Sequence, residues 1–255
     1  MIRYLSVYIA FIGMLTSDNA FAGKAFSFSQ AKKLAVEIYQ GKEEAFYSGC
    51  RYGYTGKKLV PIAETCGYQP RIPITKSGKK NARAVRIEWE HVMPAWVFGH
   101  QRKCWQLDLN SDGKKDGRKG CKKDPVFVKM EGDLHNLVPA PISDCFAFTC
   151  RSRIGELNGD RSNYAFAMLP GEARVYGKPD FEVDFKARKI EPRPEIRGDI
   201  ARIYFYMASR YKLRLSKQDT QLFTAWAKQD PVSAWEKEKG RTVSILQGNK
   251  NPYVE

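Results

Sequence analysis

The sequence predicts a single α+β domain, and three observations support this fold class. Patterns typical of helices fill the last third of the chain, whereas short alternating segments typical of strands precede them. No internal repeat or low-complexity linker divides the 255 residues, and this length suffices for one substantial core. Strands and helices are thus segregated along the chain rather than alternating, as they are in α+β proteins.

Residues 1–22 have the features of a secretory signal peptide. Arg3 provides a positive charge, residues 5–15 form an apolar run, and Ala20-Phe21-Ala22 fits a small-residue cleavage site. The run is too short to span a bilayer. We therefore expect cleavage after residue 22 and a domain of residues 23–255 that is free of the membrane, in the periplasm or outside the cell. An uncleaved N-terminal anchor is the alternative.

The first predicted element of that domain is an amphipathic helix over residues 30–40. Ser29 can cap its start, apolar residues recur at helical spacing, and Gly41 ends it. Residues 45–82 follow with two cysteines, several glycines and three prolines. This composition predicts irregular structure tied by disulfides.

A strand is predicted next, because apolar and charged residues alternate from position 85 to position 90. Pro94 bars any extension of the strand. The strand therefore delivers Glu90 and His91 side by side at its end, where rigid backbone holds them and solvent can reach them.

The middle of the chain alternates between loops and short elements. Residues 99–123 are polar, basic and rich in glycine, which predicts a long loop, and Asp124-Pro125 is typical of a helix start. That helix should reach about residue 131. Residues 140–163 are again predicted as loop, with a turn at Asn158-Gly159-Asp160, and residues 170–195 as one or two short strands.

Three core helices are predicted for the last third of the chain. The first covers residues 199–211, the second starts at Ser216, and the third starts at an Asp230-Pro231 cap. Their apolar residues recur at helical spacing, so we assign their aromatic side chains to the core.

The formal net charge of +15 at pH 7 bears on function rather than fold. Such an excess favours an anionic partner: nucleic acid, anionic lipid or acidic polysaccharide. The basic residues form several clusters, and a dense one lies within residues 114–123. A basic surface without any partner is the alternative.

Six cysteines in an exported chain suggest disulfides. Their order allows three local pairs, although sequence alone does not choose among the pairings. Metal binding by thiolates is disfavoured because the chain has no CxxC motif. The six candidates are Cys50, Cys66, Cys104, Cys121, Cys145 and Cys150.

Three polar residues suggest the chemistry of a metal-assisted phosphodiesterase. Hydrolysis of a phosphodiester needs a base for water, a cation on the phosphate oxygens and further positive charge. Glu90 and Asn136 offer hard oxygen ligands that suit Mg²⁺. His91 can remain neutral near pH 7 and accept a proton from water, and a nearby arginine could clamp the phosphate.

Each of these residues also has a structural interpretation. A glutamate at a strand end is commonly solvated, His91 could be a hydrogen-bonded structural histidine, and Asn136 could form a turn. A zinc site of His91, His135 and a carboxylate is a further alternative, although the HExxH spacing is absent.

Several long motifs then distinguish among these interpretations. They resemble those of the bacterial endonuclease I family of periplasmic and secreted nucleases, in the same order and over nearly the whole domain. The motifs are EWEHVMPAW (88–96), MEGDLHNL (130–137), GELNGDRSNY (155–164), RGDIARIYFYM (197–207) and QGNKNPY (247–253).

The resemblance implies a ββα-metal (His-Me finger) core and non-specific cleavage of DNA and often RNA. It also implies one Mg²⁺ per active site and products with a 5′-phosphate. Glu90 matches the metal carboxylate of the family, His91 its general base and Asn136 its second metal ligand. Arg118 matches the arginine that holds the cleaved phosphate. We expect a monomer.

Two insertions depart from the family pattern. Residues 107–115 look inserted, so Arg118 is assigned across a change of length, and Arg102 is the alternative. Residues 141–153 also look inserted and contain Cys145 and Cys150, for which we expect a local bridge that the family does not imply.

The first insertion begins like the calcium-binding loop of an EF-hand. Oxygen-bearing residues alternate there before and after a glycine, but the twelfth position is Lys119 rather than a bidentate glutamate. A structural Ca²⁺ site and a merely polar loop are both open. The candidate ligands are Asp108, Asn110, Asp112 and Asp116.

The sequence therefore predicts a secreted, sequence-non-specific endonuclease that binds DNA or RNA through phosphate contacts. An exported, non-catalytic nucleic-acid-binding protein is the alternative, although such a protein would not need Glu90, His91 and Asn136 together. A metal-dependent hydrolase of small phosphate esters would leave the excess of positive charge unexplained.

Overall fold

The computed structural model describes residues 23–56, 58–81, 86–109, 111–141, 156–171 and 173–255. Several predictions fall outside these residues: the signal peptide, Asn110, and the bridge between Cys145 and Cys150. The described residues form eight α-helices and two β-sheets. This mixture confirms the predicted α+β class.

An antiparallel four-stranded sheet contains the predicted strand. The strands follow one another in sheet order as β1 (Tyr52–Thr55), β2 (Lys58–Pro61), β3 (Ile87–His91) and β4 (Leu137–Pro141). The register of β3 and β4 runs from Ile87 opposite Pro141 to His91 opposite Leu137. Ile87, Trp89 and His91 are buried, whereas Glu88 and Glu90 are partly exposed. This pattern confirms the predicted alternation of apolar and charged residues along β3.

The remaining elements surround this sheet. The helices are α1 (Phe28–Ile38), α2 (Ala95–Gly99), α3 (Lys103–Gln106), α4 (Pro125–Glu131), α5 (Glu156–Arg161), α6 (Arg197–Tyr211), α7 (Lys217–Gln229) and α8 (Ala234–Gln247). A small second sheet has the order β5-β7-β6 and consists of β5 (Ala165–Phe166), β6 (Glu182–Asp184) and β7 (Lys189–Glu191). None of the described helices has the length and apolarity that a membrane crossing needs.

Local capping signals predicted two helix starts correctly. The Asp124 side chain accepts a hydrogen bond from the Phe127 N–H and caps α4, and Ser216 caps α7. The predicted apolar face of α6 is buried as well. Its members are Ile200, Ile203, Tyr204, Met207 and Tyr211.

Two other predicted caps were wrong. A reciprocal capping box between Ser27 and Gln30 starts α1, so Ser29 lies inside the helix. A second box, between Ser233 and Glu236, starts α8. Asp230 does not cap that helix, because its carboxylate accepts a hydrogen bond at 2.8 Å from the N–H of Gly198 in α6.

Two segments predicted as loop contain helices. The long loop over residues 99–123 includes α3, which the Cys104–Cys121 disulfide holds. The predicted turn at Asn158-Gly159-Asp160 lies within α5. Tertiary contacts override the turn propensity there, since Asp160 accepts hydrogen bonds at 2.7 Å from both Arg71 and Tyr176.

Two of the local cysteine pairs are disulfides in the structure, Cys50–Cys66 and Cys104–Cys121. Their sequence separations are 16 and 17 residues. Closing loops of this size stabilises a fold by about 3 kcal/mol each, chiefly through the entropy of the unfolded chain. The second disulfide also spans the basic segment that contains Arg118.

The segment before α1 is fixed against the rest of the domain. The Lys24 N–H donates to the Gln247 carbonyl at 2.7 Å. At Gly132 the backbone lies so close to this segment that an added Cβ would stand 1.9 Å from the Phe26 carbonyl oxygen. These contacts bring the start of α1 against the end of β3, where the Phe28 ring stacks on the His91 ring.

A buried lysine predicts how stability depends on pH. Lys239 of α8 is 9% exposed and donates to the Leu137 carbonyl at 3.1 Å. Burial lowers its pKa from 10.5 to about 8. The unfolded chain therefore binds more protons than the folded chain between pH 8 and pH 10.5, and stability contributed by this group rises with pH over that window.

We expect Lys239→Met to raise the free energy of unfolding relative to the parent at pH 7. Between pH 8 and pH 10.5, the free energy of unfolding of the parent should rise relative to that of the variant by on the order of 2–3 kcal/mol. Urea unfolding of both proteins across this range measures the difference. Lys237→Met, at an exposed position of the same helix, serves as the control. A difference independent of pH would contradict the prediction.

Candidate active site

His91 is the last residue of β3 and is only 3% exposed. Its ring stacks on Phe28 with centroids 4.7 Å apart and meets the edge of Phe98 at 5.8 Å. Its Nε2 atom lies 2.7 Å from the carbonyl oxygen of Glu131, at the end of α4. Three helices, α1, α2 and α4, therefore fix the plane and the rotation of the imidazole.

This hydrogen bond defines the tautomer of His91. A carbonyl oxygen only accepts hydrogen bonds, so Nε2 must carry the proton and the lone pair of the neutral ring lies on Nδ1. The pKa of His91 is lowered to about 3, chiefly by burial and also by the nearby cations Arg118 and Arg161, against the opposing effect of the Glu131 bond. The ring is therefore a neutral proton acceptor at pH 7.

Arg118, which follows the predicted insertion in the sequence, lies near His91 in the structure. Its Nε donates to a Glu131 carboxylate oxygen at 2.6 Å, and its guanidinium carbon stands 5.5 Å from the centre of the Phe28 ring. Arg118 and His91 thus share Phe28 and Glu131. The Arg118 side chain is 46% exposed and can reach a ligand. The alternative, Arg102, instead donates to Asp124 at 2.8 Å.

Glu90 meets a buried arginine from α5. Nη1 of Arg161 lies 3.6 Å from Oε1 of Glu90, and Nη2 donates to the Val92 carbonyl. The Arg161 side chain is 0% exposed, whereas that of Glu90 is 20% exposed. The guanidinium also lies over the rings of Tyr47 and Phe166. Arg161 therefore orients the Glu90 carboxylate and the backbone that follows it.

Asn136 lies beside the same strand end but faces the backbone. Its side-chain oxygen accepts the Met93 N–H at 2.7 Å, and its side-chain nitrogen donates to the Met93 carbonyl at 3.1 Å. The residue is fully buried. Both halves of the amide are thus engaged in joining the end of β3 to the start of β4. This geometry gives Asn136 a structural role and lends no support to the predicted role of metal ligand.

The zinc alternative has no support among the described residues. His135 is buried, its Nε2 lies 3.2 Å from the Asn249 carbonyl, and its ring packs on Tyr206. These contacts involve α6 and the residues after α8, whereas His91 contacts α1 and α4. Within the described ranges no group of three or more histidine, cysteine, aspartate or glutamate side chains is arranged to hold a metal.

The carboxylates of the predicted calcium loop bind backbone N–H groups. Asp108 accepts from Asp112 at 3.1 Å and from Gly113 at 2.8 Å, and Asp116 accepts from Leu109 at 2.6 Å. These hydrogen bonds explain the shape of the loop without a cation, in agreement with the alternative of a merely polar loop. The Ca²⁺ site stays a prediction.

Three residues that contact the predicted site residues have no role predicted from the sequence. Phe28 and Glu131 connect His91 to Arg118, and Arg161 connects α5 to Glu90. An arginine after an Asn-Gly-Asp turn signal gives no local hint of burial. The signal that could have identified Arg161 is its place within the motif of residues 155–164.

Comparisons with known proteins agree with the motifs. The family model of Endonuclease I matches residues 22–255. A periplasmic deoxyribonuclease of Aeromonas hydrophila is 43% identical, covering 99% of this chain and 96% of the relative. An extracellular deoxyribonuclease of the same organism is 44% identical, with coverages of 96% and 94%. Endonuclease-1 of Buchnera aphidicola is 41% identical, with coverages of 89% and 80%.

These relatives bear on both localisation and family. Two of them are periplasmic and extracellular deoxyribonucleases, which confirms the predicted localisation in the periplasm or outside the cell. The family match extends over the whole predicted domain, from before α1 to the end of the chain. The chain belongs to the endonuclease I family.

Proposed function

We propose that the chain is an exported endonuclease that hydrolyses phosphodiester bonds of DNA, and also of RNA, without sequence specificity. The proposal includes Mg²⁺ as cofactor, 5′-phosphate products, and a monomeric domain of residues 23–255 released from its signal peptide. It also includes a ββα-metal (His-Me finger) core, formed by β3, β4 and α5. These elements are two antiparallel strands followed by a helix that packs on β4.

The hydrogen bond from Nε2 of His91 to the Glu131 carbonyl carries this proposal. It leaves Nδ1 to remove a proton from water, whose oxygen then bonds to phosphorus while the bond from phosphorus to the 3′ oxygen breaks. The negative charge of a bound phosphate raises the pKa of the imidazole and so strengthens it as a base. The 3′ oxygen leaves with the bonding electrons and takes a proton from solvent water, so the products are a 5′-phosphate and a 3′-hydroxyl.

The side chains at this site fit a hard divalent cation. The Glu90 carboxylate is a hard oxygen donor at a strand end, partly exposed and oriented by Arg161, which is the ligand type that Mg²⁺ prefers. Glu90 would hold the ion. When bound, the ion supplies positive charge for the phosphate oxygens and the leaving oxygen.

Exposed cations around the site would bind the nucleic acid backbone. Arg118 is positioned to pair with the phosphate that is cleaved. Further cations of the same segment are exposed: Lys114, Lys115, Lys119, Lys122 and Lys123. Such contacts fix the position of a strand without reading its bases, so binding should weaken steeply as salt increases.

Nicking of a supercoiled plasmid tests the proposed function. We expect nicking and then degradation with Mg²⁺, no cutting with EDTA, and recovery of cutting when Mg²⁺ is added back, because the phosphate charge must be neutralised. A labelled RNA of similar length tests the second substrate. Cutting that persists in EDTA would refute the role of the metal, and tight binding without cutting would favour the non-catalytic alternative.

A second experiment assigns the second metal ligand. The family resemblance assigns this ligand to Asn136, whereas its two hydrogen bonds to Met93 favour a structural role. A ligand role alone would make Asn136→Ala lose Mg²⁺-dependent cutting and leave the free energy of unfolding nearly unchanged. Asn136→Ala should instead lower that free energy by about 1–3 kcal/mol, because it leaves buried backbone groups of Met93 unpaired.

Denaturant unfolding and plasmid nicking of Asn136→Ala and the parent make the comparison. If Asn136→Ala unfolds like the parent and yet loses its response to Mg²⁺, the prediction of Asn136 as metal ligand is right and its role is not structural.

A further inference from the structure

A groove of about 710 Å³ lies beside the candidate active site. One wall is α2 with the residues that follow it, and the other is the segment after α6, residues 212–215. Tyr204 and Phe223 from the helical core line it as well. The proposed chemistry at His91 does not use this groove.

An exposed indole stands in this groove in a fixed orientation. Trp96 is 45% exposed, although it is one of the largest apolar side chains. Its ring stacks on His100 at 4.1 Å with an interplanar angle of 10°. Nδ1 of His100 lies 2.7 Å from the Trp96 carbonyl oxygen, so this nitrogen carries a proton and donates it. The imidazole thus supports the indole as a flat platform.

The opposite wall provides positive charge and is held in place. Lys212 and Arg214 are exposed and line the groove, whereas Asp219 is its only acidic lining residue among those described. Gln101 donates from its side-chain amide to the Arg214 carbonyl at 3.3 Å and accepts the Arg214 N–H at 3.1 Å. These two hydrogen bonds join the two walls, so the groove exists before a ligand binds.

Two of the residues that line the groove lie close in sequence to active-site residues. Trp96 follows His91 by five positions, and Phe98 of the same helix contacts the His91 ring. Tyr164, another lining residue, follows Arg161 by three positions. The groove is therefore built on two of the elements that hold the active site, where a bound nucleic acid strand could contact both.

We infer that the groove binds an unpaired nucleotide of the substrate strand, its base stacked on Trp96 and its flanking phosphates paired with Lys212 and Arg214. Aromatic platforms beside basic grooves are how proteins bind single strands without reading their sequence, because every base has a face that can stack. A paired base in a duplex has no free face to offer. The inference rests on the proposed nuclease function and adds single-stranded nucleic acid as the form that this groove recognises.

Binding of a fluorescent single-stranded oligonucleotide in EDTA tests the inference, since no cutting is needed for the readout. Trp96→Leu should weaken this binding roughly ten-fold, and Trp96→Phe should restore most of it. Binding of a duplex of the same length should change less than two-fold. Tyr54→Leu, at a similarly exposed aromatic residue of β1, is the control and should bind like the parent.

The outcomes separate this inference from the proposed function. Equal binding of the single strand by the parent and Trp96→Leu would overturn the inference, and so would an equal loss for duplex and single strand. Plasmid nicking with Mg²⁺ reports on the nuclease independently: a parent that binds single strands through Trp96 but never cuts would overturn only the proposed function. Thermal unfolding of each variant shows whether it is folded.

Discussion

Replacing His91 with alanine should slow Mg²⁺-dependent plasmid nicking by about 10²–10⁴-fold, the usual contribution of a general base. The structure leaves the lone pair of this ring on Nδ1, and no other histidine contacts Phe28 or Glu131 among the described residues. The loss should appear in the rate of cutting and not in the affinity for DNA, which is measured in EDTA.

The buried His135 offers a matched control for this variant. It is 3% exposed, as His91 is, but its partner is the Asn249 carbonyl, away from Arg118 and Glu90. His135→Ala should cut at nearly the parent rate once corrected for the folded fraction. Imidazole added to His91→Ala should restore part of the activity by entering the space left by the ring. If His91→Ala cuts within a few-fold of the parent, His91 is a structural histidine.

Replacing Arg161 with methionine should produce the largest loss of stability. The guanidinium is fully buried and bonds the Val92 carbonyl, while Glu90 stays beside it. Removing one partner of a buried charge pair costs about 3–5 kcal/mol, because the other charge is left uncompensated. For a domain of this size, we expect the thermal midpoint to fall by roughly 10 °C or more. Differential scanning calorimetry measures the change.

Two further variants identify the cause of that loss. Lys250→Met removes an exposed cation that pairs with the exposed Glu255 at 3.0 Å, and should cost at most about 1 kcal/mol. Combining Arg161→Met with Glu90→Gln removes the uncompensated carboxylate and should recover part of the stability. If the double variant is no more stable than Arg161→Met alone, packing rather than charge explains the role of Arg161.

Local signals in the sequence predicted the elements whose structure depends on neighbouring residues. The alternation before His91 predicted β3, and Asp124 and Ser216 predicted the starts of α4 and α7, because an N-cap acts within one helical turn. The local cysteine pairs followed from their order in the chain, and two are confirmed.

Predictions failed where distant residues decide the structure. Asp160 forms part of a helix because Arg71 and Tyr176, each more than ten positions away, bind its carboxylate. Asp230 is engaged by α6 and therefore caps no helix. For the candidate site, sequence selected His91, Glu90 and Arg118, which the structure places around one strand end. It could not anticipate the engagement of Asn136 by Met93, since no pattern shows which way an amide faces.

The fixed amino-terminal segment has a practical consequence for producing the protein. Phe28 forms a wall of the active site only six positions after the predicted processing point, and Lys24 is already tied to Gln247. Few unconstrained residues therefore separate a purification tag or a leftover linker from the active site. We expect fusions at that end to disturb the imidazole, whereas additions after Glu255, whose side chain is 54% exposed, should leave it undisturbed.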